Sequence, residues 1–214
     1  MEKLTLDFMF IGKGVLLSLQ LMLGGIVIGL IIGSLFAILC HNNMGNFFIK
    51  RLISIIRGTP LILQLSFIYF ALPGLINCKI SIEIAGIIAF GLNSAAYIAE
   101  IFRSGIGSID VGQFEAAKTL QIPKFYIWKD IILPQVIKNI LPSITNETIA
   151  LLKETALIST IGGMDIMRRY QVQAAEQFTY FIPLCIAGFY YYVMVIIIEG
   201  IGKTIERRMS YDKN

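Results

Sequence analysis

The sequence predicts an all-α integral membrane protein with five membrane-spanning helices. Three features of the composition support this fold class: 56% of the 214 residues are apolar, only 15% are charged, and the mean hydropathy is +0.75. A soluble domain of this length would need a more polar surface. A helix needs about 20 largely apolar residues to cross a hydrocarbon core roughly 30 Å thick, and the charged residues here are grouped between stretches of that order.

Two runs without any charged residue predict the first two spans, about 14–40 and 57–76. The first run begins after Lys13, and the second lies between Arg57 and Lys79. Pro60 is predicted to lie in the first turn of the second span, where a missing N–H costs little.

The remaining three predicted spans differ in polarity. The third, over 84–103, is rich in Gly, Ala and Ser, and such small residues let helices approach closely in lipid, which predicts a central place in the bundle. The fifth, over 178–200, is strongly apolar. The fourth, over 135–161, is interrupted by Asn146, Glu147, Lys153 and Glu154.

The distribution of Lys and Arg predicts the orientation of the chain. If the N-terminus lies outside, twelve of these residues fall in cytoplasmic loops and five fall outside. Since cytoplasmic loops carry an excess of Lys and Arg, the bias places the N-terminus outside and the C-terminus in the cytoplasm. The loop 104–134 is then cytoplasmic, and the whole chain forms a single transmembrane domain.

The composition argues against several other functions. The net charge of +4 comes from scattered basic residues that form no stripe, so nucleic-acid binding is not expected. One His and three Cys without ligand spacing predict neither a metal site nor a disulfide framework. No catalytic cluster can be assembled from these residues.

A short match to a phosphate-binding loop is also dismissed. Gly202, Lys203 and Thr204 resemble the end of such a loop, but the motif requires another Gly at the position that Ile197 occupies, and a strand before it. The chain is therefore predicted to have no nucleotide site and not to be an enzyme.

The loop 104–134 carries signals for two short helices. Asp110 is a plausible N-cap for a helix that includes Glu115, because Ala and Glu favour helix after a capping carboxylate. Pro123 is predicted to open a second helix. The loop is either an amphipathic element on the membrane surface or a docking element for a partner protein, because bulky apolar groups follow Pro123. These are Phe125, Tyr126, Trp128 and Ile132.

The fourth span carries the candidate binding residues. Glu147 and Glu154 are seven positions apart, so they share one helix face, and charges at membrane depth face a bundle interior or a watery cavity. Two such carboxylates can hold an ammonium group or a cationic side chain. Alternatively, they pair with Lys153 or with a neighbouring helix; Lys153 is one position off their face and is assigned a pairing role. Further hydrogen bonds are expected from Asn146, Thr155 and Ser159.

Three charged residues are predicted at the cytoplasmic end of the bundle. Glu100 and Arg103 are spaced to form a local ion pair, and they are also candidates for gating the inner mouth. Arg57 precedes Gly58 and is interpreted as part of a helix entry at the inner surface.

The loop resembles the EAA loop of the permease subunits of ATP-binding-cassette importers. The residues that match are Glu115, Ala116, Ala117, Ile131, Leu133 and Pro134. Gln121 stands where the family has Gly, and a left-handed turn there would strain Gln by about 1 kcal/mol.

The resemblance extends from about residue 14 to residue 208. The stretches 57–61, 92–103 and 146–157 resemble the branch that serves histidine, glutamine, glutamate, arginine and similar solutes. This resemblance implies a type I importer (MetI-like) permease fold in a bacterial inner membrane, with 104–134 as the coupling loop. It also implies transport of a polar amino acid such as glutamine.

The resemblance implies partners as well. Two cytoplasmic ATPase subunits would each grip one coupling loop at Glu115, Ala116 and Ala117, with Gln121 in the turn that follows. The partner ATPase uses ATP, and this chain binds no cofactor of its own. An extracytoplasmic binding protein would deliver the amino acid, and a second permease subunit, identical or related, would complete the path by alternating access.

Two other readings compete with this one. An ion-gradient-driven secondary transporter would use Glu147 and Glu154 as proton or Na⁺ sites, but the chain lacks an inverted repeat. The other is a scaffold subunit that transports nothing.

Overall fold

The computed structural model describes residues 2–41 and 46–211, and within these ranges the chain is helical without any strand. This confirms the predicted all-α class. The helices are α1 (Glu2–Gly12), α2 (Gly14–His41), α3 (Asn46–Gly58), α4 (Leu61–Ser66), α5 (Leu72–Ile76), α6 (Ile82–Gly107), α7 (Val111–Thr119), α8 (Lys124–Tyr126), α9 (Leu133–Glu154), α10 (Ile166–Gln177) and α11 (Phe181–Tyr211). Two π-helical turns, Phe67–Ala71 and Ile127–Ile132, join α4 to α5 and α8 to α9, and a 3₁₀ turn, Thr155–Ile161, extends α9.

Three described helical segments are long and apolar enough to cross a membrane: Glu2–Cys40, Ile82–Gly107 and Phe181–Met209. A fourth candidate is the pair Phe47–Gly58 and Leu61–Ile76, which is bent by 101°. Helix α9 is not among these candidates, because its polar residues lower its mean hydropathy. The count of five spans therefore stays a prediction.

The second span is built differently from the prediction at its start. Pro60 does not lie in the first turn but immediately precedes α4, with φ −59° and ψ 133°. The bend between α3 and α4 falls here because a residue before Pro is disfavoured in the α region. Gln64 stabilises the bend, since its Nε2 donates to the carbonyl of Ile56 at 2.8 Å and to Thr59 Oγ1 at 2.9 Å.

Helix α6 is the centre of the bundle, as its small residues predict. It packs against α2, α3, α4 and α9. The contact with α2 is close because Gly25, Gly29 and Gly33 recur every fourth position. A Cβ at Gly33 would lie 2.7 Å from the carbonyl oxygen of Ala95, so a side chain there would push the two backbones apart.

Two buried carboxylates contact α10: Asp7 joins it to α1, and Asp165 caps it. Asp7 is 3% exposed and accepts hydrogen bonds from Nε2 of Gln173 and of Gln177, each at 2.7 Å. Asp165 is fully buried and caps α10 by accepting from the N–H of Arg168 at 2.8 Å. These contacts order a segment that the sequence analysis leaves as a loop.

The titration of Asp165 predicts a pH-dependent stability. Burial raises the pKa of Asp165 to about 6, against the opposing hydrogen bond from the Arg168 N–H, whereas an unfolded Asp titrates near ~3.9. The folded chain therefore binds this proton more tightly. The resulting stability is fully present below about pH 4 and is lost as the pH rises through about 6.

We expect Asp165→Asn to remove this component, because Asn also caps helices well. In detergent, the wild-type chain should lose on the order of 1 kcal/mol of stability between pH 5 and pH 7.5 from this group, seen as a falling thermal midpoint. The variant should show a flatter profile. Asp7→Asn, which changes another buried carboxylate, is the matched control, and parallel profiles for the wild type and Asp165→Asn would contradict the assignment.

Candidate functional site

The helix predicted after Asp110 is present as α7. Asp110 is its N-cap, as predicted, and its Oδ1 accepts from the N–H of Gly112 at 2.6 Å. Pro123 differs slightly from the prediction, because it is the residue before α8 rather than a residue of its first turn.

The turn after α7 is left-handed at Gln121, as the family pattern implies. Gln121 has φ +55°. The N–H of Ile122 donates to the carbonyl of Ala117 at 3.1 Å, and the N–H of Gln121 donates to that of Lys118 at 2.9 Å. This pair of bonds is the Schellman arrangement that usually places Gly at the left-handed position. The substitution of Gln for Gly therefore keeps the turn and leaves its strain in place.

Relieving that strain should stabilise the turn. We expect Gln121→Gly to stabilise the turn by about 1 kcal/mol, because Gly adopts a positive φ without steric cost. Amide exchange at Ile122 should become slower in the variant, as measured by hydrogen–deuterium exchange. Gln121→Ala keeps the strain and serves as the control. Equal exchange in the Gly and Ala variants would contradict the prediction.

The structure separates the residues of the Glu-Ala-Ala motif. Glu115 and Ala116 are exposed, whereas Ala117 is only 3% exposed. Ala117 packs in a cluster that includes Ile109, Ile127 and Ile132, because successive residues of a helix point in different directions. The expectation that an ATPase would grip the loop at both alanines is therefore corrected: only Ala116 is exposed, and Ala117 holds α7 against its own chain.

The aromatic residues of the loop also divide into two groups. The rings of Phe114 and Trp128 meet edge to face with centroids 5.8 Å apart, so Trp128 anchors α7. Phe125 and Tyr126 are more than half exposed and do not serve this purpose.

Two side-chain bridges tie the loop to α9. Gln113 and Gln135 exchange amide hydrogen bonds, at 3.1 Å and 2.6 Å. Asn139 Nδ2 donates to Ser108 Oγ at 3.0 Å. These residues were not predicted, because nothing local in the sequence marks amides 22 positions apart as partners. As a result, α7 and α9 are connected along the side that faces the loop.

Helix α9 brings the two predicted carboxylates together on one side. Glu147 and Glu154 are both half-buried, and Asn93 Nδ2 of α6 donates to Glu154 Oε2 at 3.3 Å. Asn93 was not selected from the sequence, although an amide within an otherwise small and apolar span was a usable signal. The carboxylates therefore lie at the contact between α6 and α9.

The other predicted substrate-path residues are placed differently from one another. Asn146 is exposed. Thr155 and Ser159 are buried, and their hydroxyls donate to the carbonyls of Leu152 and Ala156 at 2.6 Å and 2.7 Å. They face the core because they lie well around the helix from the carboxylates, so the structure does not bring them into the candidate site.

The local pairing role of Lys153 is corrected. Lys153 is exposed, and no carboxylate of the described chain lies within 4.0 Å of its ammonium group. The next residue, Glu154, points toward α6 instead. In the predicted fourth span, an exposed cation needs water or another subunit to face.

Lys153 belongs to a polar stripe on the exposed side of α9. At spacings of three, four and seven, its members share one face, and the two glutamates flank it. The polar members of the stripe are Asn139, Ser143, Asn146 and Lys153. Asn139 and Ser143 also line a groove of about 490 Å³ between α6 and α9, together with Tyr97, Glu100 and Ser104, among others.

The charged residues near the end of this groove are connected. Arg103 Nε donates to Glu100 Oε1 at 2.9 Å, which confirms the predicted ion pair. Arg57 Nη1 lies 3.9 Å from the same oxygen, and its guanidinium lies 5.1 Å from the centre of the Tyr97 ring. Arg57 is therefore part of the charged cluster as well as of the bend before α4. The predicted gating role of Glu100 and Arg103 stays a prediction.

Long apolar helices that can cross a membrane, a polar groove between α6 and α9, and a short helix that exposes Glu115 and Ala116 form the arrangement expected of a transport subunit. The chain belongs to the family of binding-protein-dependent transport system inner membrane components, whose family model matches residues 25–211. It is thus a permease subunit of an ATP-binding-cassette importer for amino acids, a transporter component rather than an enzyme, and not a secondary transporter. Membership implies an ATPase and a substrate-binding protein as partners.

Several relatives have names that mention particular amino acids. The chain is 50% identical over 204 residues to a Rickettsia typhi protein named as a candidate glutamine transport system permease, covering 94% of this chain and 93% of that protein. It is 44% identical over 204 residues to an arginine transport system permease protein of Bacillus subtilis, again covering 94% and 93%.

Solved structures share the fold. A crystal structure of an amino acid ABC transporter with histidines superposes with a TM-score of 0.86 at 35% identity, covering 97% of this chain and 96% of that one. An inward-facing MetNI methionine transporter superposes with a TM-score of 0.78 at 17% identity, covering 94% and 96%, which supports the fold alone. The predicted type I importer fold is confirmed.

Proposed function

We propose that this subunit carries a polar amino acid such as glutamine along the groove between α6 and α9, past Glu147 and Glu154. The observation that carries the proposal is the exposed polar stripe of α9 with the two carboxylates beside it. Polar groups at membrane depth face a watery path or another subunit, and a carboxylate attracts the ammonium group that every free amino acid has. The names of the relatives support glutamine or arginine as the solute.

The proposed path is completed by a second permease subunit, identical or related. In this arrangement the polar stripe, including Asn146 and Lys153, faces the space between the two subunits. This gives the exposed ammonium group of Lys153 an aqueous or protein environment, which lipid would not supply.

Coupling to ATP is assigned to α7. Glu115 and Ala116 are exposed on this helix, and two cytoplasmic ATPase subunits each bind one such surface. ATP is bound and used by those partners. Because Gln113 and Gln135 join α7 to α9, a displacement of α7 on ATPase closure is transmitted to the helix that carries the carboxylates.

The contact between α7 and the cytoplasmic ATPase requires a particular orientation of the chain. In this proposed orientation, with five spans, the N-terminus lies outside and the C-terminus lies in the cytoplasm. An extracytoplasmic binding protein delivers the amino acid at the outer face.

Competition for uptake tests the proposed substrate. Proteoliposomes that contain the chain, its ATPase and its binding protein should accumulate radiolabelled glutamine only when ATP is supplied to the ATPase. Unlabelled glutamine should compete more strongly than leucine, a neutral apolar control. ATP-dependent uptake that leucine suppresses as well as glutamine does would contradict a polar solute.

A further inference from the structure

The structure contains an apolar groove that the transport path does not use. It has a volume of about 720 Å³ and lies between the end of α2, the end of α6 and the start of α9. This is within the roughly 300–1,000 Å³ of small-molecule sites. Its walls are almost entirely apolar and include Ile38, Phe102, Trp128, Leu133 and Ile137.

The groove continues an exposed apolar face of α2. Ile31, Leu35 and Ile38 are each at least 50% exposed, and their spacing of four and three places them on one side of the helix. On a helix that crosses a bilayer, such a face contacts lipid chains. The groove therefore opens toward the hydrocarbon rather than toward the polar stripe of α9.

Two cations are among the residues that line the groove. Lys124 and Lys129 are the only charged side chains among the described residues that line it, and neither has a described carboxylate within 4.0 Å. The ammonium group of Lys129 lies 5.8 Å from the centre of the Phe125 ring, which also lines the groove. An apolar groove with two ammonium groups that have no described carboxylate partner is complementary to a lipid with a negative headgroup.

We propose that this groove binds one anionic phospholipid, with an acyl chain between α2 and α9 and the phosphate at Lys124 and Lys129. Basic pockets between membrane helices bind anionic headgroups in this way. The site joins the coupling loop to the membrane, because Lys124, Phe125 and Lys129 belong to the loop while Ile38 belongs to a span. In the orientation proposed above, on which this point rests, the groove lies in the cytoplasmic leaflet.

The single tryptophan of the chain gives a direct test, because Trp128 lines the groove. The full-length chain is placed in phosphatidylcholine nanodiscs that contain a small fraction of phosphatidylglycerol brominated on its acyl chains. Bromine quenches tryptophan fluorescence on contact. We expect stronger quenching of Trp128 by brominated phosphatidylglycerol than by an equal fraction of brominated phosphatidylcholine.

The double variant Lys124→Gln with Lys129→Gln should lower the apparent affinity for the anionic lipid on the order of tenfold and so remove the preference. Lys118→Gln with Lys138→Gln removes the same charge outside the groove and should keep it. Three results would overturn the proposal: equal quenching by the two lipids in the wild type, equal loss of the preference in both variants, or no quenching by either lipid because a protein surface covers the groove. The assay requires no transport, so its failure leaves the proposed function intact, and uptake is measured separately.

Discussion

Replacing Glu115 by Lys together with Ala116 by Trp is expected to lower ATP-driven uptake by roughly two orders of magnitude. Both residues are exposed on α7, and neither side chain forms a hydrogen bond or an ion pair with another described residue. Central residues of a protein interface cost about 2–4 kcal/mol when they are disrupted. The measurement is the initial rate of uptake in proteoliposomes, with membrane insertion checked in the same preparation.

The matched control for this pair is Asp130→Lys. It makes the same acid-to-base change in the same loop, at an exposed residue outside α7, and should leave uptake nearly unchanged. Ala117→Leu tests the packing of the loop instead of its exposed surface. Since Ala117 is buried against the loop cluster, this variant should disturb the loop itself. Wild-type uptake by the Glu115 and Ala116 double variant would exclude α7 as the coupling surface.

The second large effect is expected from Glu147→Gln and Glu154→Gln. Each change keeps the shape and an acceptor oxygen, so the hydrogen bond from Asn93 to residue 154 can persist, but it removes the charge offered to an ammonium group. Hydrogen bonds to charged groups are worth about 1.5–3 kcal/mol, so initial uptake at low substrate concentration should fall by roughly ten- to a hundredfold.

The control for this change is Glu176→Gln, which makes the same substitution at an exposed position on α10. Uptake is measured as a function of amino-acid concentration for all three variants. If both carboxylate variants transported like the control, Glu147 and Glu154 would have a structural role between α6 and α9 instead of a role in the path.

The sequence predicted the elements that depend on local signals. The apolar runs located the membrane helices, Asp110 marked the start of α7, and the spacing of Glu100 and Arg103 gave their ion pair. Gln121 was recognised as an unusual residue because the family pattern requires Gly there, and its φ of +55° agrees.

Features that depend on distant contacts were missed. The bond between Asn93 and Glu154 joins residues 61 positions apart, and that between Gln113 and Gln135 joins residues 22 positions apart. No local periodicity encodes such pairs. The burial of Ala117 was also missed, because a motif matched by residue type does not say which side of a short helix faces the chain.

The accessibility of Asn146 tests the central claim most directly. The three native cysteines, Cys40, Cys78 and Cys185, are replaced by Ala, and Asn146→Cys is compared with Ile196→Cys, an exposed position on the apolar surface of α11. A membrane-impermeant thiol reagent is added to inside-out vesicles that contain the complete transporter. We predict that the cysteine at 146 reacts and that the transported amino acid slows the reaction, while the cysteine at 196 does not react. A cysteine at 146 that is as unreactive as the one at 196, or that reacts equally with and without the amino acid, would contradict a transport path along the polar stripe of α9.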